Sequence, residues 1–407
     1  MSMLTLFNSL GKKMEQFRPA SRNAVGIFTC GPSVYQRVHI GNFRTFLFED
    51  VLVRYLEYSG YRVKRGMTIT DIEDKAIEEA EKRKTDLGRL TDKNVHQFVK
   101  EMKLLRTKVP DFMPRASESI EEAVNLTEML LKGKVAYRYG NNVYFDPLKF
   151  RGFGKLYGLD MSRWPSTRKR FHKDTYPGMR WNLGDFILWH GCVEGDRYCW
   201  DTEIGRGRPA WNIQDPAMIS RYFDESLSIY CGGVDNLVRH HDYTCAILES
   251  VRPYPAATFW LHCRHLHVGG KKMSKSRGNI YYVDTLLKDG YSAEEIRFFL
   301  IYGHYRRSLT FSDSAMRAAA GRLRRFRDYV EKIRLKGRSG EVVATKASRR
   351  LHVAFTQNMD DDLNVKAAFD AMQDVLQEIK AEELRPGEAL HILETLRKID
   401  GVLQAIF

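Results

Sequence analysis

No apolar run in this 407-residue chain is long enough to span a bilayer, and the first residues, Met1-Ser2-Met3-Leu4-Thr5, lack the form of a secretory signal. These absences make a cytoplasmic location the expectation. The six cysteines (positions 30, 192, 199, 231, 245 and 263) show no CxxC pairing. They carry no local metal or redox signature and are expected as free thiols. Acidic residues are in deficit: 51 Asp and Glu against 65 Lys and Arg leave a formal net charge of +14. That surplus favours an acidic partner such as a nucleic acid, through phosphate neutralisation, although a solvated basic face would give the same count. With 43% hydrophobic and 29% charged residues the composition is that of a soluble globular protein, long enough for two or three domains.

What is present is more specific. The apolar run Ala24-Val25-Gly26-Ile27-Phe28 is followed by Val38-His39-Ile40-Gly41-Asn42, then by a helical pattern from Thr45 to Tyr58. Strand, glycine turn and helix in that order suit a nucleotide. Gly41 has no Cβ, so a ring or phosphate can approach the backbone, and a helix N-terminus favours an anion. His39 can donate to phosphate oxygens. Far along the chain, Lys272-Met273-Ser274-Lys275-Ser276 puts two lysines on a loop ahead of Gly278. Such a loop can close over a pyrophosphate and neutralise charge that develops as a phosphoanhydride breaks.

Either motif alone is weak. Together, in this order, they resemble the paired signatures of class I aminoacyl-tRNA synthetases. The segment Cys30-Gly31-Pro32-Ser33-Val34-Tyr35, and a histidine motif ending in Asn42, are similar to the cysteinyl branch of that family. So are Thr70-Asp71-Ile72-Glu73-Asp74-Lys75, Gly207-Arg208-Pro209-Ala210-Trp211, Gly232-Gly233-Val234-Asp235, His240-His241 and Met359-Asp360-Asp361-Asp362-Leu363-Asn364. The resemblance runs from about Thr5 to about Ile379. It implies an α/β fold: a Rossmann-like parallel sheet with an insertion domain, then a C-terminal helical bundle.

The resemblance also implies roles. His39, Asn42, Lys272 and Lys275 would be catalytic. Gly41, Gly233, Asp235, Met273, Ser274 and Ser276 would bind ATP, with Mg²⁺ following from ATP chemistry although no carboxylate is diagnostic of it. Cys30, Gly31, Thr70, Trp211, Asp215 and His240 would line the amino-acid pocket; for Trp211 alone, a core aromatic is the better bet on sequence. The family holds zinc on four ligands, which map onto Cys30, Asp215, His240 and Thr244. Two are changed, a cysteine to Asp215 and a glutamate to Thr244. A Cys30, Asp215 and His240 triad could still hold zinc, but threonine is a poor neutral ligand, and the expectation is a weakened or lost metal site. Without zinc a pocket loses the soft Lewis acid that marks a thiolate, and Asp215 would suit N–H or O–H donors or a cation. Tyr230-Cys231 also departs from the family, in a stretch expected near the adenosine.

Four regions are expected: residues 1–90 and 181–310 as the halves of the nucleotide-binding domain, 91–180 as the insertion and 311–407 as the bundle. The second half of the sheet is expected from about Asp185. Glu78 to Lys108 reads as one charged helix, and Tyr137 to Phe145 as a hairpin turning at Gly140-Asn141-Asn142. Ser162 to Arg180 is basic and aromatic-rich and reads as a loop; the resemblance implies that it lies near a tRNA acceptor end. Arg322, Arg324, Arg325, Arg327, Lys332, Arg334, Lys336 and Arg338 crowd one segment. There Leu323, Phe326, Val330 and Ile333 recur at three- and four-residue steps, which predicts an amphipathic helix with a basic outer face. Family members continue into an anticodon-binding domain that is not expected here. The function implied is an ATP-dependent amino-acid-activating ligase acting as a monomer, with a tRNA acceptor end as partner. The alternative is a small-molecule ligase joining an activated amino acid to an amine.

Overall fold

The computed structural model describes residues 3–159, 185–274, 278–337 and 340–407. A hairpin, β1 (Thr5–Asn8) and β2 (Lys13–Gln16), leads into β3 (Val25–Thr29), α1 (Ile40–Tyr58) and β4 (Val63–Met67). Helices α2 (Asp74–Lys82), α3 (Leu87–Leu104) and α4 (Ile120–Lys132) precede strands β5 (Ala136–Tyr139), β6 (Asn142–Phe145), β7 (Phe186–Gly191) and β8 (Gly207–Pro209). Next come α5 (Trp211–Tyr222), β9 (Leu227–Gly233), α6 (Asp242–Val251) and β10 (Ala257–Cys263). Short strands β11 (Leu266–Val268) and β12 (Lys271–Lys272), helices α7 (Val283–Lys288) and α8 (Ala293–Ile301), and β13 (Leu309–Phe311) follow. Helices α9 (Asp313–Lys336), α10 (Lys346–Met359), α11 (Val365–Gln377) and α12 (Pro386–Leu403) end the chain.

The central sheet has the order β10-β9-β3-β4, and each neighbouring pair is parallel. Its inner strands are near-continuous apolar runs because both faces are covered. The chain winds outward from β3 to β4 through α1, and from β9 to β10 through α6. The winding therefore reverses between β3 and β9, where a parallel sheet opens a crevice beyond its strand ends. Cys30, just past β3, donates its N–H to the Cys231 carbonyl of β9 at 3.1 Å, so the two ends lie side by side.

Helix α1 is buried around most of its circumference, charged residues included. Its buried charges find partners. The Arg44 guanidinium donates to the carbonyls of Arg264, Leu300, His304 and Arg307 at 2.7 to 3.1 Å. Asp50 accepts from Arg54 and from Arg297, whose other N–H groups reach the carbonyls of Leu403 and Leu105. The nucleotide sheet and the bundle share this helix as a common core.

Three sequence expectations change. Strands β7 and β8 extend the β5–β6 hairpin into an antiparallel sheet of order β5-β6-β7-β8, and the parallel sheet resumes only at Leu227. Phe186, Ile187, Leu188 and Trp189 are buried on both faces, and a short apolar run does not say which sheet it joins. The helix expected over Glu78–Lys108 is two helices: Lys84 turns the chain at φ 51°, and Asp86 caps the second by accepting the Arg89 N–H at 3.1 Å. Cys192 and Cys199 form a disulfide between β7 and β8 instead of free thiols. Cys30, Cys231, Cys245 and Cys263 are free and buried. The amphipathic helix is α9, and it buries Leu323, Phe326, Val330 and Ile333.

Candidate active site

A cleft of about 600 Å³ opens at the strand crossover. It is lined by His39, Gly41, Asn42, Gly233, Asp235, Lys272, Met273 and Ser274, and also by Cys30, Gly31, Thr70, Trp211, Asp215 and His240. Two stretches far apart in sequence thus share one wall. Lys275, Ser276 and the 162–180 loop fall outside the described residues.

The start of α1 is built by its own motif. His39 occupies the cap position, and its N–H donates to Asn42 Oδ1 at 3.3 Å. Asn42 therefore braces the turn that presents the His39 ring. A Cβ on Gly41 would sit 2.9 Å from that ring and 3.4 Å from Met273 Sδ, so glycine leaves the His39 ring its place beside the lysine loop. Gly31 is equally confined, since a Cβ would lie 1.7 Å from the Thr68 carbonyl oxygen. Thr70 is held by backbone bonds with Pro32 and Val34.

Across the cleft, Lys272 Nζ lies 2.7 Å from Asp235 Oδ2, with His265 Nε2 at 3.8 Å from the other oxygen. Burial raises the Asp235 carboxyl, but its bond to Lys272 and the charges of Lys272 and His265 outweigh that, so it titrates below the usual range.

The floor is a hydrogen-bonded cluster. Asp215 Oδ2 accepts from the Tyr230 hydroxyl, pairs with His240 Nε2 at 3.0 Å, and lies 3.5 Å from Cys30 Sγ. Burial, then the Asp215 charge, holds both Tyr230 and Cys30 well above their ordinary values, so both keep their protons. A second chain of bonds starts from the same sulfur. Cys30 Sγ lies 2.9 Å from His241 Nε2, His241 Nδ1 lies 2.8 Å from His262 Nε2, and His262 Nδ1 lies 2.8 Å from Ser9 Oγ. Burial, with the neighbouring His262 and His240, pushes His241 far below its usual value, and burial takes His262 down to about 3; both rings are neutral. Trp211 stacks on His240 with ring centroids 4.1 Å apart. It is a partly exposed wall residue and not core, contrary to the better bet from sequence. Arg239, just before the histidine pair, holds φ 71° and ψ −66°, a costly backbone state for a residue with a side chain.

Tyr230, expected near the adenosine, lies instead beneath Asp215, because alternation along β9 turns it to the floor. His262 and Ser9 had no predicted role. Asp242 accepts from the N–H groups of Leu156 and Tyr157 at 3.2 Å and so anchors the insertion.

Does this floor suit zinc? The four family positions do not form a metal shell. Asp215 Oδ2 is committed to Tyr230 and His240. Thr244 offers a neutral hydroxyl, buried and without a hydrogen bond. Cys30, His240 and His241 bring ligand atoms within 4.8 Å of one another. His241 Nε2 meets Cys30 and its Nδ1 meets His262. With a neutral hydroxyl at one family position and a carboxylate in place of a thiolate at another, the donor set is weaker for zinc than the family's four ligands.

Comparison with known proteins agrees with this geometry. Residues 16–321 match the family described as the tRNA synthetases class I (C) catalytic domain. The cysteine–tRNA ligase of Chlamydia pneumoniae is 36% identical over 98% of this chain and 86% of its own length. That of Brachyspira hyodysenteriae is 33% identical over 99% of this chain and 86% of its own. Among solved structures, methionyl-tRNA synthetase of Mycobacterium tuberculosis, with methionyl-adenylate, aligns at TM-score 0.65 and 14% identity, covering 94% of this chain and 90% of that one. An Agrobacterium radiobacter K84 LeuRS, in a ternary complex with tRNA, aligns at TM-score 0.67 and 12% identity, covering 96% and 85%. Those two likenesses establish the shared architecture, and the curated relatives establish the branch: the chain belongs to the class I aminoacyl-tRNA synthetases, in the cysteine–tRNA ligase family.

Proposed function

We propose that the chain is an ATP-dependent ligase that activates an amino acid and passes it to the acceptor end of a tRNA. The amino-acid carboxylate attacks the α-phosphorus of ATP. The bond to the bridging oxygen breaks, aminoacyl-AMP forms and pyrophosphate leaves. A hydroxyl of the acceptor then displaces AMP. The observation that carries this reading is the single cleft that unites both phosphate motifs with the Cys30–Asp215–His240 floor.

Each group has a task. His39, at the N-terminus of α1, and Lys272 oppose the negative charge that grows on the α-phosphate and the departing pyrophosphate. Lys275, Met273, Ser274 and Ser276 serve the same phosphates from the loop. Asn42 works through His39, by fixing the turn. Gly41, Gly233 and Asp235 take the adenosine side of ATP, and Mg²⁺ enters with the nucleotide. Thr70, Gly31 and Trp211 border the amino acid. No step is assigned to zinc.

Transfer to tRNA is favoured over transfer to a small amine because the curated relatives, matched over 86% of their length, are named cysteine–tRNA ligases. A cytoplasmic monomer is the form proposed. No helix among the described residues is long and apolar enough to cross a membrane.

The test is ATP–pyrophosphate exchange against a full amino-acid panel, followed by aminoacylation of bulk tRNA. Exchange that depends on one amino acid, and is lost in Lys275→Ala, is the expected result. Exchange unchanged in that variant would remove the lysine loop from the mechanism.

A further inference from the structure

Asp215 is a buried carboxylate with an unspent oxygen. It is 1% exposed, and every hydrogen bond it makes among the described residues goes to Oδ2. Oδ1 has none. The partners of Oδ2 are a phenol, a thiol and an imidazole. No lysine or arginine pairs with it among the described residues, and His240 is the basic ring beside it. A carboxylate needs donors or a counter-charge, and none of the described residues supplies either to Oδ1 on the cleft side.

One more polar atom of the floor is unspent. His240 Nε2 meets Asp215 at 3.0 Å, and its Nδ1 is buried and without a hydrogen bond. Asp215 and His240 both line the cleft, and Trp211 stacked on His240 walls it. Asp215 thus presents an unbonded carboxylate oxygen with no lysine or arginine beside it, and it lies where the amino acid is proposed to bind.

We infer that this pocket selects an amino acid whose side chain ends in a hydrogen-bond donor, with an amine preferred, and that Asp215 is the specificity-determining residue. An ammonium group supplies both what Oδ1 lacks and what the buried charge lacks. A hydroxyl or amide supplies only the first. A thiol is the weak case: it is a poor donor, and the shell for the soft metal that would reward a thiolate is changed at Asp215 and Thr244. The Cys30 thiol, bonded within the floor, is then part of the wall of the pocket and not a ligand.

This inference rests on the adenylation reading, and the experiment separates the two. Pyrophosphate exchange is measured with lysine, ornithine and 2,4-diaminobutyrate, with serine, threonine and asparagine, and with cysteine, alanine and valine, alongside metal analysis of protein purified without chelator. The expected result is a preferred amino acid from the amine group, cysteine at least tenfold poorer in kcat/KM, and no stoichiometric metal. Asp215→Asn should raise KM for that amino acid about a hundredfold while KM for ATP and the melting temperature stay within error. Tyr230→Phe serves as a second variant should Asp215→Asn fold poorly; freeing Oδ2 of one donor should shift KM for the amino acid and leave KM for ATP alone. Preference for cysteine with one zinc per chain would overturn the inference and leave adenylation standing. Preference for an apolar side chain, or an unchanged KM in Asp215→Asn, would also overturn it. No exchange with any amino acid would sink the adenylation reading and this inference with it.

Discussion

Lys272 Nζ lies 2.7 Å from Asp235 Oδ2, so the lysine loop is docked on the turn after β9 by a salt bridge whose two side chains are both about half exposed. The pair joins a residue proposed for the phosphates to one proposed for the ribose side. ATP entering the cleft would compete for this lysine. The bridge therefore holds the loop at the rim rather than committing it.

That exposure decides what removing the lysine does. A half-exposed ion pair contributes roughly 0–1 kcal/mol to folding. A cation facing charge that develops in a transition state contributes far more, on the order of 10²–10³ in rate. Lys272→Ala should therefore lower exchange by about that factor while its melting temperature stays close to the parent's. Matched thermal melts and exchange assays decide the matter. A variant that loses stability and activity in step would mean that Lys272 acts on the fold.

Glu49 gives a pH signature. It is fully buried on α1, 3.0 Å from Arg65, and burial pushes its carboxyl up to about 7 although Arg65 pulls the other way. Between its unfolded value of about 4.5 and 7, the folded chain keeps a proton that the unfolded chain has lost. Stability must then fall as pH rises through that window, by up to roughly 3 kcal/mol, with the full contribution present only below 4.5. Glu49→Gln removes the titration, so the gap between variant and parent should shift in the variant's favour from pH 4.5 to 7.5. Denaturant midpoints at four pH values measure it. A constant gap would refute the assignment.

The nucleotide half of the site was legible because its chemistry is local. A strand, His39 to Asn42 and a helix lie within about forty residues, and glycine spacing alone says how closely the backbone can approach a ligand. The floor was legible only in part. Cys30, Asp215 and His240 came from a family likeness, but what binds them to one another did not. Tyr230 was misplaced because which way a strand residue faces depends on the register of β9 against β3. His262 and Ser9 come from β10 and from the loop after β1, and no spacing in sequence predicts that they meet His241. Strands β7 and β8 were given to the wrong sheet for the same reason: apolar runs report burial, and pairing is a long-range choice.

Arg297 tests how α1, α8 and the bundle depend on one another. Its side chain is 0% exposed and bridges Asp50, Leu105 and Leu403. Burial lowers its guanidinium somewhat, with Asp50 opposing. Arg297→Ala leaves Asp50 with Arg54 but removes a buried partner and frees two carbonyls, a loss of about 3–5 kcal/mol. Arg297→Met fills most of the volume and should lose less. Urea titration of both variants checks the order. Equal, small losses would show that the ion pair is dispensable.

The basic face of α9 is less free than its sequence suggests, and this sharpens where tRNA is expected. Arg322 pairs with Asp370, Arg324 with Glu295 and Arg334 with Glu331, while Arg327 donates to the carbonyls of Ala405 and Ile406. Arg325, Lys332 and Lys336 stay exposed on the same helix and have no ion-pair partner among the described residues. If tRNA crosses this face, those three bind its phosphates. Removing one phosphate-binding cation should flatten the slope of log affinity against log salt by about one. Arg325→Ala with Lys336→Ala should thus weaken tRNA binding, reduce the slope by about two and leave amino-acid-dependent exchange unchanged, since neither residue lines the cleft. A minihelix carrying only the acceptor arm should bind as the full tRNA does and respond to the same two substitutions. Parent-like binding by the double variant would move the tRNA surface off α9. A minihelix that binds far more weakly than full tRNA would show that this chain reads tRNA beyond its acceptor end.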